Sequence, residues 1–455
     1  MIMIPNNETE ICASSIRECI ICYDPINPAN TIKTCKNHHV FHNCCINMWL
    51  AANSSCPTCR IAMDIPPQMT NNYVMANTVT TIEPFAFARN QLSTVTISDL
   101  VTSIHESAFS DNQLTTVRIP DLVVFIGRSA FANNQLRSVI IPDLVTTIGY
   151  AAFATNQLLT VIIPDLVDTI GGFAFSDNQL TTVRIPNLVT IIERYTFARN
   201  QLTTVTIPDS VTTICENAFA ENLLTTVSIS DLVTNIGNYA FADNRLTTIR
   251  IPELVTCIGD YTFTSNRLTT VRIPNLVTSI GMFAFSDNQL TTVIISNFVT
   301  NIGRSAFARN QLTNVTLPEF ITCIKEFTFI DNQLTTVMIP QFVIIIEQYS
   351  FARNKLTTVT IQDLVTHIGN FAFADNQLLT VIIPDSVTTI GKSTFAHNQL
   401  TTLIIPDSVT TIGYGAFANN HLTTVTIPER FSDDLVKIFG FDNSQNITFT
   451  FSNTI

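Results

Sequence analysis

From residue 87 onward, apolar positions return with a fixed spacing. Phe stands at 87, 109, 131 and every 22nd residue to Phe417, sixteen times without a miss. Asn follows each Phe by three residues (Asn90, Asn112, on to Asn420) and Leu by five (Leu92, Leu114, on to Leu422). One unit reads FANNQLRSVIIPDLVTTIGYAA. Its LRSVII, like the LTTVTI of other units, alternates with the period of two of a half-buried strand. Pro-Asp then marks a turn, because Pro has no N–H for a ladder and Asp bonds nearby backbone amides. A second short apolar pair, such as Val145 and Ile148, precedes the next Phe.

A single 22-residue unit cannot bury its own Leu, Val, Ile and Phe, whereas stacked coils can. The pattern predicts a mostly-β solenoid whose Phe, Leu and Ile columns fill the interior and whose Asn column satisfies turn backbone between coils. Sixteen rungs at about 4.8 Å each span roughly 75 Å. Residues 79–87, VTTIEPFAF, read as the back half of a unit without its strand. At the other end ERFSDDLVKIFGFDN breaks the register and ITFTF alternates once more, as an atypical terminal unit does. The expected organisation is an N-terminal tail at 1–15, a Cys-rich module at 16–62, a linker at 63–76, the solenoid at 77–428 and a C-terminal cap at 429–455. The phrase LTTVTIPDSVTTI (202–214) resembles the BspA-like class of leucine-rich repeats over about residues 77–430. The unit here is one residue shorter, with Asn where that class often has Cys. The resemblance implies the leucine-rich-repeat fold and says little about function.

Composition narrows the function classes. With 46% apolar and 13% charged residues, the chain is not of the disordered kind. Thr, Asn and Asp interrupt every apolar stretch, so none reaches the roughly 18 residues of a membrane span. MIMIPNNETEIC has neither a basic start nor an apolar core, and no secretory signal is expected. The net charge is −12, with four basic and five acidic residues in 1–65 and therefore 19 against 30 in the rest. Such a surface disfavours nucleic acid. Eight of the eleven cysteines precede residue 60, and Cys215, Cys257 and Cys323 are scattered. A metal pattern followed by free thiols suits a reducing, intracellular compartment.

The metal pattern is dense. CKNHHVFHNCCINMWL (35–50) carries six potential ligands and the chain's single Trp, with CIIC (Cys19, Cys22) upstream and CPTC (Cys56, Cys59) downstream. Eight donors suffice for two closed tetrahedral zinc sites. Four ligand pairs share two metals in consecutive, nested or interleaved fashion, and spacing does not choose among these.

Together CIIC, CKNHHVFHNCC, INMWL and CPTCR resemble a RING finger of the two-histidine type, over residues 16–62. The resemblance implies an interleaved cross-brace: one structural Zn2+ on Cys19, Cys22, His42 and Cys45, a second on Cys35, His39, Cys56 and Cys59. The phrase HVFHNCC selects His39 and Cys45 in that family, although Cys35-x2-His38 is also tolerated spacing. Cys12 and Cys44 are then free thiols. The resemblance further implies that Ile21, Trp49 and Pro57 form a groove for a ubiquitin-conjugating enzyme, and that Arg60 bridges that enzyme and its linked ubiquitin. The plainer readings are a core residue for Trp49, in a module too small to have much core, and a solvated surface residue for Arg60. The activity implied is that of a ubiquitin ligase without a covalent intermediate. The alternative is a non-catalytic adaptor in which both parts only bind proteins. A surface adhesin, as some BspA-like repeats are, is opposed by the absent signal and the thiols. Ubiquitin machinery places the expected activity in the cytoplasm of a eukaryotic cell, its own or one invaded.

A ligase needs a substrate-choosing part, and the solenoid is the candidate. Its outward strand position nine residues after each Phe varies in chemistry, including Arg118, Ile140, Ile162, Arg184, Arg250, Arg272, Ile294, Met338, Ile382 and Ile404. Exposed Ile and Met beside Arg suits a protein-binding face. Strand propensity alone also accounts for Ile and Thr there. Arg118, Arg184, Arg250 and Arg272 are the sharper clue.

Overall fold

Thr204–Thr206 runs exposed, buried, exposed, with Val205 pointing inward between two threonines that face water. This strand pairs in parallel with Thr226–Ser228, one repeat on, Val205 opposite Val227. A shorter strand follows in the same unit: Thr213–Ile214 pairs in parallel with Asn235–Ile236. Each coil thus contributes a short strand to one parallel ribbon, and most coils add a longer strand that pairs with a neighbour's, as Ser138–Ile140 does with Thr160–Ile162. The computed structural model describes residues 71–440 and 447–452, residue 58, and the backbone of four short strands between residues 17 and 42. Those four form two antiparallel hairpins, β1 (Arg17–Glu18) with β2 (Pro25–Ile26), and β3 (Ile32–Thr34) with β4 (Val40–His42).

In-register stacking puts identical residues on top of one another, so a column in the sequence becomes a column in space. Rings stack from Phe87 to Phe417, with neighbouring centroids 5.2 to 5.8 Å apart. Leu202, Val211, Ile214 and Phe219 of one coil are fully buried, and their equivalents repeat along the axis. The Asn column does what its position predicts. Asn112 accepts the backbone N–H of Leu92 at 3.0 Å and donates to the carbonyls of Phe87, Phe109 and Ser110. The chain bends at two left-handed positions per coil, two residues either side of Phe, as at Tyr195 (φ 57°) and Arg199 (φ 53°). Non-glycine residues seldom adopt this region; here the ladder on both sides holds them.

Both ends differ from the sequence reading. The first coil does have its long strand: Asn72–Val74 pairs in parallel with Thr94–Thr96, and Tyr73 sits 4.9 Å from the Phe87 ring. The solenoid therefore begins inside the stretch expected to be linker, because a Tyr-Val pair covers the first Phe without the usual Leu or Pro-Asp. At the C-terminus a 3-10 turn, Glu429–Asp434, leads into helix α1, Leu435–Phe439. Phe439 lies 22 residues after Phe417 and stacks on it at 5.9 Å, so the Phe register survives where the strand register breaks. Thr448–Ser452 then closes the long ribbon in parallel on Thr424–Pro428.

Candidate functional site

In the N-terminal module the described backbone forms two hairpins. β1 and β2 flank the segment carrying Cys19 and Cys22, with Arg17 opposite Ile26. β3 and β4 flank the segment carrying Cys35, His38 and His39, with Ile32 opposite His42. β1 and β4 approach within 8 Å, Cα to Cα. His42 is described by its backbone alone, at the end of β4. Cys19, Cys22, Cys35, His39, Cys45, Cys56 and Cys59 lie outside the described residues, as do Ile21, Trp49, Pro57 and Arg60. Thr58, between Pro57 and Cys59, is an exposed turn residue. The donor set itself fits zinc: thiolates and imidazoles in four pairs, the chemistry of closed structural sites. Among the described residues no group of His, Cys, Asp and Glu is arranged to hold a metal.

On the solenoid, the variable strand column is exposed as expected, Ile140 at 80% and Ile382 at 81%. Its arginines are not free. Arg118 meets Asp99, Arg184 meets Asp165 and Arg272 meets Glu253, each at 2.5 Å, and Arg250 meets Asp231. Each of these partners stands 19 residues earlier, in the turn of the preceding coil, and Arg118 also reaches Asp121 at 3.3 Å. The four arginines are therefore held by carboxylates of the same chain.

A second exposed column escaped the sequence reading. The Leu of the turns of the type PDLV, including Leu100, Leu144, Leu188 and Leu254, is 42 to 51% exposed. In three consecutive coils this Leu becomes Phe: Phe298 (66% exposed), Phe320 (53%) and Phe342 (40%). The Phe320 and Phe342 rings stack at 5.9 Å. The three Phe were the available signal in the sequence.

Two further clusters carry less. Half-buried aromatics two residues before the core Phe stack in short runs, Tyr239–Tyr261–Phe283 and Phe327–Tyr349–Phe371, with cations over some rings such as Arg304 on Phe327. Cys323 donates to Glu347 Oε1 at 3.3 Å, and Lys325 reaches the same oxygen at 3.2 Å. Burial, reinforced by that carboxylate, pushes the thiol up to about 11. Cys215, Cys257 and Cys323 are all free thiols. No helix among the described residues is long and apolar enough to cross a membrane.

Comparison with known proteins divides the chain in the same way. The family model "BspA type Leucine rich repeat region" matches residues 68–181, 151–269, 234–357 and 366–455. The model "Ring finger domain" matches residues 17–60. Among curated proteins, the chain is similar to RING-H2 finger protein ATL73 of Arabidopsis thaliana, 46% identical over 44 residues, 10% of this chain and 25% of that one. It is likewise similar to E3 ubiquitin-protein ligase MPSR1 of Arabidopsis thaliana, 40% identical over 48 residues, 10% and 24% of the two chains. The chain spans a quarter or less of the length of these curated relatives. Among solved structures, YopM from Yersinia enterocolitica is similar over 74% of this chain and 69% of that one, at 16% identity and a TM-score of 0.47.

Proposed function

Because the chain belongs to the BspA-type leucine-rich repeat family and carries a Ring finger domain at residues 17–60, we propose that it is a RING-type E3 ubiquitin ligase. In this reading the N-terminal module docks a ubiquitin-conjugating enzyme, and the solenoid presents a protein substrate. The observation that carries it is the match of the Cys/His segment to a RING model and to relatives that include named E3 ligases. Cys19, Cys22, His42 and Cys45 would hold one zinc and Cys35, His39, Cys56 and Cys59 the other. The approach of β1 to β4 supports this sharing, since it brings the strand that ends in His42 near Arg17–Glu18, which directly precede Cys19 in sequence. Zinc closed by four protein donors supplies folding free energy to a small module rather than chemistry.

The acceleration then comes from position. Ile21, Trp49 and Pro57 give the conjugating enzyme an apolar seat, and the forked guanidinium of Arg60 bridges that enzyme and its linked ubiquitin. Holding the thioester in one arrangement lets a substrate lysine attack it directly. Cys44 takes no part. The proposed setting is the interior of a eukaryotic cell, where that machinery resides.

Discharge of ubiquitin from a charged conjugating enzyme, measured with the full chain across a panel of such enzymes, tests this. Acceleration is expected, lost in Ile21→Ala or Trp49→Ala at unchanged zinc content. Arg60→Ala should slow discharge and spare binding of the uncharged enzyme. No acceleration with any enzyme of the panel would overturn the reading.

A further inference from the structure

Two adjacent exposed columns change character together along the solenoid. Ion pairs such as Arg184–Asp165 show that the position nine after Phe lies beside the acidic turn position of the preceding coil. Up to Arg272, four of those acids are neutralised within the chain. Beyond it the acid column turns largely neutral, with Asn275, Asn297 and Gln341 around a single Glu319. In the same coils Leu becomes Phe298, Phe320 and Phe342, and Ile294 and Met338 stand exposed at 65 and 66%. Two coils further on, Ile382 and Ile404 are 81 and 68% exposed, beside Asp363 and Asp385. Neither aspartate has an ion-pair or hydrogen-bond partner among the described residues, because Ile stands where Arg neutralises four of the earlier acids, as Ile162 also does beside Asp143.

An apolar aromatic track ending in unpaired carboxylates specifies its occupant by charge and pitch. We infer that the face from Phe298 to Ile404 is a docking track for an amphipathic α-helix, apolar once per turn and basic at one end. Neighbouring coils repeat about every 4.8 Å, nearer the helical pitch of about 5.4 Å than any extended repeat, and the Phe320 and Phe342 rings stack along that direction. An extended peptide repeats its side chains every two residues, about 6.6 Å, and drifts out of step within a few coils. Six coils are spanned, five steps or about 24 Å at the rung spacing, which is about 16 helical residues. Lys or Arg at one end of the helix pairs with Asp363 and Asp385. A second copy of this chain would bring the same acidic column and repel.

The inference rests on reading the solenoid as the recruiting part, and its test is independent of ubiquitin transfer. A phage-displayed library of peptides of about 16 residues is selected on the full chain. Enriched peptides should carry apolar residues at i, i+3 or i+4 and i+7 with Lys or Arg at one end, and be helical when bound. Their affinity should fall at least tenfold on Phe298→Ser/Phe320→Ser/Phe342→Ser and on Asp363→Asn/Asp385→Asn. It should hold on Leu100→Ser/Leu122→Ser/Leu144→Ser and on Trp49→Ala. No enrichment, extended binders, equal loss on both ends of the Leu column, or self-association abolished by the Phe changes would each overturn it. Helix capture without ubiquitin transfer would leave this inference standing and remove the ligase reading.

Discussion

The side-chain oxygen of Asn200 accepts the backbone N–H of Leu180, in the preceding turn, at 3.0 Å. Its amide donates to the carbonyls of Phe175, Phe197 and Ala198 at 2.9, 3.2 and 3.1 Å. One side chain thus satisfies four backbone groups from two coils. Asn200→Ala leaves the Leu180 N–H buried and unpaired, at roughly 1–3 kcal/mol before relaxation, whereas the carbonyls of Phe175, Phe197 and Ala198 keep Asn178, Asn222 and the Asp177 N–H as donors. A loss of about 2 kcal/mol in urea unfolding is expected, and a loss under about 0.5 kcal/mol would show that water replaces the amide. Asn200→Asp should not rescue, since it buries a charge and donates nothing.

Phe263 is fully buried, with Phe241 at 5.8 Å on one side and Phe285 at 5.4 Å on the other. Phe263→Ala should cost about 3–5 kcal/mol. Because each coil touches only its neighbours, the damage should divide the array rather than melt it uniformly. Hydrogen exchange should show two protected blocks flanking residue 263. Uniform loss of protection would mean the solenoid unfolds as one unit.

The Cys323 thiol, raised to about 11, should resist alkylation. Against a free thiol near 8.5, its thiolate fraction at pH 8 is lower by about two orders of magnitude, and the rate follows. Glu347→Gln removes the opposing charge and should speed the reaction in a peptide-resolved mass-spectrometric assay. The folded state holds a proton that the unfolded chain releases above about 8.5, so this thiol costs stability as pH rises from there toward 11. A rate matching a free thiol would refute the assignment.

The full chain should bind two zinc ions, and His39→Ala should retain one while His38→Ala retains both. Chelation should remove the metal and leave the repeat's far-UV signal intact, because no metal-ligand group exists among the described residues of the solenoid. A stoichiometry of one in the unaltered chain would exclude the eight-ligand set.

Self-modification should be weak. The chain has six lysines, and none lies between Lys36 and Lys325. Lys325 stands some ten coils into the solenoid, roughly 50 Å from its first coil at about 4.8 Å per rung. Mapping ubiquitin sites at low protein concentration should find Lys33, Lys36 or the N-terminal amine. Dominant modification at Lys355 or Lys392 would require the module to reach far along the solenoid or act from another copy.

Much of this protein was legible because its tertiary neighbours are also its sequence periods. In a parallel stack of equal coils, residue i packs on i+22, so the Phe, Leu and Asn columns are contacts written out directly. The zinc-type donors were legible for a different reason: metal geometry admits few residue types and few spacings. Tertiary structure alone decided the rest. Asn72–Val74 forms a strand because Thr94–Thr96 offers it an edge, not because of its own pattern. Phe439 keeps the Phe register on a helix, since the last exposed ring must be covered whatever element supplies the cover. Leu122 and Val123 sit side by side in the same turn, one 46% exposed and the other buried. Apolarity cannot separate them; the direction in which the turn leaves the strand does. The same turn carries Asp165 back beside Arg184, an offset of 19 that follows from a 22-residue coil closing three positions short.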